Sequence, residues 1–248
     1  MAIRVFQNPD LVAEAAADVF AARARQVVES ARLLHVVLSG GCTPLRLFKL
    51  LAAEPYRDAI PWNRVHFFWG DERTVPPDHA DSNFGAANEA LLSKLELPRE
   101  NVHRIHGEHR DPQEAALDYE TELRRHFGLA DSEFPRFDLV YLGMGADGHT
   151  ASLFPGSEAL EERRRLAVAH WVEGLGAHRI TLTYPTFNNA SCILLLVTGG
   201  EKAETLREVL EGPGEPLRYP VQLIRPEGGE LHWYIDKGAG RLLGPESR

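Results

Sequence analysis

Phe137-Asp-Leu-Val-Tyr-Leu-Gly-Met-Gly-Ala-Asp-Gly-His-Thr-Ala-Ser-Leu-Phe-Pro155 decides how this chain is read. Residues 137–142 predict a strand, with the apolar run Leu139 to Leu142 as its buried body. The run ends in Gly143, Gly145 and Gly148, which let the backbone turn sharply and approach a ligand closely. An acid, Asp147, and a base, His149, share that turn. In α/β proteins chemistry collects outside the carboxyl ends of the strands, so this loop is the first candidate site. A surface turn with a solvated histidine is the plainer alternative. Three glycines, an acid and a base at one strand end favour chemistry.

Outward from this stretch, strand-like and helix-like segments alternate. Residues 3–6 read as a strand. Asn8 then caps a helix with Pro9 at its first position, and Leu11, Val12, Ala15, Ala16, Val19 and Phe20 form its inward stripe. Further strands are predicted at 33–38, 65–69, 166–171, 179–184, 191–197, 220–225 and 231–236. Helices are predicted at 44–53, 82–95, 112–127 and 201–211. Such alternation implies βαβ units and a mostly parallel sheet flanked by helices. With 248 residues, no internal repeat and no clear linker, the chain reads as a single domain, 1–248.

Composition narrows the function classes. The net charge is −9, so the global basic footprint of a nucleic-acid binder is missing. An acidic protein still binds an anionic small molecule where positive groups and N–H donors converge locally. Two cysteines, Cys42 and Cys192, give neither a disulfide framework nor metal-ligand spacing, which suits a reducing cytosol. The amino terminus lacks a signal-peptide core, and no apolar stretch approaches the roughly 18 residues of a membrane span. A cytoplasmic protein that neither crosses a membrane nor is exported is the expectation.

Other strand ends supply more candidates. The strand at 33–38 runs into Ser39-Gly40-Gly41-Cys42-Thr43-Pro44 and then a helix. Two glycines let N–H groups point at one anion, the helix adds its positive dipole end, and Ser39 and Thr43 add hydroxyls. Without a following Gly-Lys-Ser/Thr this is a phosphate cradle but no Walker loop. A glycine turn with Thr43 as an ordinary N-cap is the alternative. The strand at 65–69 ends in Gly70-Asp71-Glu72-Arg73, where Asp71 can serve as base or orienter and Arg73 can bind an oxyanion or phosphate. Asp81-Ser82-Asn83 opens the next helix, and Asn83 is a candidate pocket residue. Arg179 and Lys202 lie beside later strand ends, where a cation reaches a bound phosphate. His103, His106 and His109 fall in a polar, glycine-containing loop, and no metal site is assigned to them.

Taken together, Ser39 to Pro44, Gly70 to Arg73, Asp81 to Asn83 and Gly143 to Pro155 resemble the 6-phosphogluconolactonase family, in order and along nearly the whole chain. The resemblance implies a Rossmann-like α/β fold of the glucosamine-6-phosphate deaminase and ribose-5-phosphate isomerase type, with a smaller set of later strands. It implies hydrolysis of 6-phospho-D-glucono-1,5-lactone to 6-phosphogluconate, the second step of the oxidative pentose phosphate pathway, without a cofactor. By the same resemblance His149 is the general base, Asp147 its orienting neighbour or a sugar contact, and Arg73 the active-site arginine. Ser39, Gly40, Gly41, Thr43, Arg179 and Lys202 are then the phosphate contacts. A lactone is an activated ester, and histidine is the side chain whose ordinary pKa suits base catalysis near neutral pH. Two rivals stand beside this reading. Glucosamine-6-phosphate deaminase shares the Asp-Gly-His turn but follows it with a carboxylate in a Phe-Asn-Glu-Pro run, whereas Ser152-Leu153-Phe154-Pro155 holds no acid. A non-catalytic sugar-phosphate sensor would need a DNA-binding extension, and would have no use for His149. Oligomeric state is not readable.

Overall fold

The computed structural model describes residues 1–30 and 32–247. Seven strands form one sheet, and every neighbouring pair is parallel. From one edge to the other they are β1 (Ala2–Phe6), β10 (Glu230–Asp236), β9 (Cys192–Val197), β6 (Leu139–Gly143), β2 (Leu34–Leu38), β3 (Val65–Trp69) and β5 (Val102–His103). All residues of β3 and β9 are buried, which explains why they read as continuous apolar runs and not as alternating ones. A second sheet of three antiparallel strands, β4 (Asp71–Arg73), β8 (Ala177–Leu182) and β7 (Ala167–Val172), grows directly out of β3 after Gly70. The helices are α1 (Pro9–Glu29), α2 (Cys42–Leu51), α3 (Tyr56–Ala59), α4 (Asn83–Ala90), α5 (Pro112–Phe127), α6 (Tyr184–Asn188) and α7 (Ala203–Glu211). Among the described residues, no helix is long and apolar enough to cross a membrane.

The parallel sheet and the smaller later set match expectation; several details do not. Residues 220–225 form no strand. Pro220–Leu223 is a 3-10 turn, held by the Gln222 side chain, which accepts from Glu215 N–H at 2.7 Å and donates to the Val209 carbonyl at 3.1 Å. The helix expected over 82–95 stops at Ala90, and a 3-10 turn follows at Leu92–Lys94. Leu91 and Leu92 are both buried. Consecutive residues on one α-helix point about 100° apart, so a change of backbone lets both face inward. In α1, Leu11 is exposed; the inward face is Val12, Ala13, Ala16, Ala17 and Phe20.

One side-chain contact completes the edge of β3. β5 pairs only with Phe67 and Phe68, so Trp69 runs past the end of its partner. The Tyr119 hydroxyl, from α5, takes the place of a strand there. It accepts from Trp69 N–H at 2.9 Å and donates to the Trp69 carbonyl at 3.0 Å. Burial pushes this phenol well above its ordinary pKa, so it remains a donor as well as an acceptor. Tyr119→Phe leaves two buried backbone groups unpaired, and should lower stability by about 1–3 kcal/mol in urea denaturation. A cost too small to measure would mean that Trp69 finds other partners.

Candidate active site

β9, β6, β2 and β3 are consecutive across the sheet and parallel, so their carboxyl ends deliver four loops to one edge. Chain order reverses between β6 and β2, the switch point at which such sheets open a crevice. A cleft of about 220 Å³ lies there. Ser39, Gly40, Gly41, Thr43, Asp71, Arg73, Asn83, His149 and Lys202 all line it. Asp147 and Arg179 do not; each stands behind a residue that does.

The loop after β2 is built to accept an anion. Gly41 has φ 106°, a left-handed conformation that glycine adopts without strain, and α2 starts directly after it with no side-chain cap. The first-turn N–H donors and the positive end of the helix dipole are therefore left to the cleft. Gly40 lies flat against the Asn83 side chain, and a Cβ there would collide with its amide. Thr43 is not the N-cap of α2. Its hydroxyl bonds the Thr198 hydroxyl at 2.7 Å, out of solvent, and so ties the β2 loop to the end of β9.

At the end of β3 the chain passes straight into β4. Asp71 is buried and accepts from the Ser152 hydroxyl at 2.7 Å, which commits one of its oxygens. Asn83 donates to the Asp71 carbonyl at 2.9 Å. Arg73 and Arg179 face each other across the β4–β8 ladder. Among the described residues neither forms an ion pair. Arg73 donates to the Asp81 carbonyl at 2.6 Å, but its Nε is buried without a partner. Burial, then the neighbouring Arg73 charge, lowers the Arg179 pKa. The nearby carboxylates of Asp71, Asp81 and Glu72 offset part of that shift.

Glu72 was not singled out from the sequence. Its oxygens accept from Arg73 N–H at 2.8 Å, Asn83 N–H at 2.7 Å, Phe84 N–H at 2.8 Å and the Ser82 hydroxyl at 3.1 Å. Burial pushes the Glu72 carboxyl up, the three backbone donors oppose that shift, and the Asp71 charge adds to it. The carboxylate at the start of α4 fixes the loop that presents Arg73 and Asn83.

The loop after β6 presents the His–Asp pair. Asp147 accepts from the ring Nδ1 of His149 at 2.6 Å and from its backbone N–H at 3.1 Å. Because a carboxylate only accepts, Nδ1 carries a proton, and in the neutral ring the lone pair sits on Nε2. No described residue bonds Nε2. Burial works to raise the Asp147 pKa, but the hydrogen bond and charge of His149 outweigh it and hold the carboxyl below its ordinary value. Gly145 sits against the imidazole, where any Cβ would displace the ring. Phe154 packs against the ring at 4.5 Å between centroids. His103, His106 and His109 do not converge: His103 bonds His66, while His109 lies near Glu114 and Asp118.

Fold and cleft together define a phosphosugar-type α/β protein, with an anion cradle and an oriented imidazole at the switch point. Residues 7–233 match the family model described as glucosamine-6-phosphate isomerases/6-phosphogluconolactonase. The chain belongs to this family. It is 43% identical to the 6-phosphogluconolactonase of a Nostoc species over 208 residues, 84% of each chain. It is 42% identical to that of Haemophilus influenzae over 212 residues, 85% of this chain and 88% of the other. The crystal structure of 6-phosphogluconolactonase from Thermotoga maritima superposes with a TM-score of 0.80 at 31% identity, covering 95% of this chain and 99% of that one.

Glu72→Gln should destabilise the protein by about 1.5–3 kcal/mol, because an amide NH₂ must then face donors that now meet a carboxylate oxygen. Amide exchange at Asn83 and Phe84 should accelerate in step. Unchanged exchange at both would remove Glu72 from its place as organiser of this loop.

Proposed function

We propose that the chain hydrolyses 6-phospho-D-glucono-1,5-lactone to 6-phosphogluconate. The single observation that carries this reading is the Asp147–His149 pair, whose Nε2 faces solvent-accessible space beside an uncapped helix start. Family membership and the names of its relatives support it. The reading requires no cofactor, takes a phosphosugar lactone and not nucleic acid as partner, and places the protein in the cytoplasm.

The chemistry follows from the groups present. The Ser39–Thr43 loop and Lys202 hold the 6-phosphate, mainly through backbone N–H donors and the lysine charge. With the Thr43 hydroxyl engaged by Thr198, Thr43 contributes its N–H. His149 Nε2 takes a proton from water as the oxygen attacks the lactone carbonyl. The carbonyl oxygen becomes an oxyanion, which the Arg73 guanidinium at the cleft wall stabilises. The ring oxygen then leaves, taking the proton back from the imidazolium, and the opened product carries a carboxylate. Asp147 keeps the ring in the productive tautomer and stabilises the imidazolium. Asp71, held by Ser152, orients a sugar hydroxyl; its fixed oxygen makes it the weaker candidate for base. No acid lies between His149 and Pro155 to shuttle protons along an open-chain sugar, which separates this reading from the isomerase branch of the family.

Loss of the lactone signal in NMR, above the spontaneous background, tests the activity directly. His149→Ala should lower kcat by ~10²-fold or more while leaving affinity for 6-phosphogluconate near normal, since base and cradle are separate groups. Turnover close to that of the parent protein would exclude His149 as the base.

Specificity gives an independent check. Phosphate binding at one end of the sugar holds the ester at the other end against His149. The phosphorylated lactone should therefore exceed plain glucono-δ-lactone by ~10²-fold or more in kcat/KM. Equal efficiency on the two lactones would sink the cradle assignment.

A further inference from the structure

The sheet carries a second cluster of chemistry at the end opposite to the cleft. His66 is near the start of β3, four residues and about 13 Å of strand from Gly70. His103 ends the edge strand β5, and His126 lies in the last turn of α5. One ring nitrogen from each of the three lies within 4.8 Å of the others. His66 and His103 are buried, and His126 is half-buried.

We propose that His66, His103 and His126 form a binding site for a single zinc-class divalent cation, which staples the edge of the sheet to the end of α5. The orientation of His103 is the first support. Its Nδ1 bonds a Glu122 carboxylate oxygen at 2.7 Å, and since the carboxylate only accepts, Nδ1 carries the proton. The Nε2 lone pair must then point into the cluster. A carboxylate behind a histidine is the usual way that proteins aim and strengthen an imidazole ligand. Glu122 and His126 are one helical turn apart on α5, so both arms of the site come from one face of that helix.

Spacing is the second support. His66 Nδ1 and His103 Nε2 are 2.9 Å apart, sharing one proton. A tetrahedral zinc with bonds of about 2.0–2.1 Å separates its nitrogen ligands by about 3.3–3.4 Å, so the pair needs to open by only a few tenths of an ångström. On binding, the proton of His66 moves from Nδ1 to Nε2 and the cation takes its place between the rings. No proton is lost and no oxidant is needed. Three nitrogens leave the fourth position to water. His35, beside His66 in the β2–β3 register, is held by Asp138 at 3.2 Å and closes the cluster on the strand side.

The test uses the full chain, stripped with chelator and titrated with Zn²⁺ by calorimetry. We expect one equivalent per chain and, at about 100 μM free Zn²⁺, a rise in Tm of about 5 °C or more. His126→Gln keeps a polar, half-exposed side chain, should fold with near-parental Tm without metal, and should weaken binding by at least about tenfold. His232→Gln and His149→Gln serve as controls, removing a ligand from the Cys192–Glu230–His232 group and from the cleft respectively. Both should retain the bound equivalent. Co²⁺ gives a readout that needs no variant: visible bands of a tetrahedral nitrogen site without sulfur charge transfer. No binding at that Zn²⁺ concentration, full binding by His126→Gln, loss of the equivalent in either control, or a sulfur charge-transfer band would each overturn the proposal.

Discussion

Everything in this molecule follows from the common direction of its seven strands. A parallel sheet is covered by helices on both faces, so its inner strands β3 and β9 are buried at every residue. It also gathers all strand carboxyl ends on one edge, where four adjacent strands meet in loops. The pocket is the gap left when the chain changes direction between β6 and β2. Chemistry could have been placed elsewhere on this surface only by giving up that ready-made opening.

Loops alone do not make a precise site, and here buried polar contacts hold them. The Thr43–Thr198 bond joins the strands on either side of the reversal. Ser152 and Asp71 join the loop after β6 to β4, and the Glu72 carboxylate gathers three backbone donors from two segments. Each contact fixes one loop against another. Arg73 and Arg179 are a different case: like charges lie side by side across the β4–β8 ladder, one with a buried donor unmet.

The sequence made the fold class and most of the cleft legible, because both are written locally. Glycine-rich strand ends announce themselves at Ser39–Pro44 and Gly143–Gly148, and nine of the proposed residues line one cleft. What stayed hidden depends on pairs far apart in the chain. Nothing near Glu72 reveals that it accepts from Phe84, and nothing near Thr43 points to Thr198. His103 looked like one of three loop histidines spaced three apart; its partners, His66 and His126, sit 37 and 23 positions away. Pro220 to Arg225 failed for a different reason. Its apolar run fits a strand by composition, yet the Gln222 side chain folds it into a turn.

The pairing of β1 with β10 also has a consequence during synthesis. Ala2 to Phe6 is made long before its strand partner among the described residues, His232 to Asp236. At cellular elongation rates that partner follows on the order of ten seconds or more later. Through that interval the inward face of α1, rich in alanine and anchored by Phe20, has no complete sheet to cover. The β1–β10 pair therefore cannot form until β10 has been made, after every other strand of the sheet.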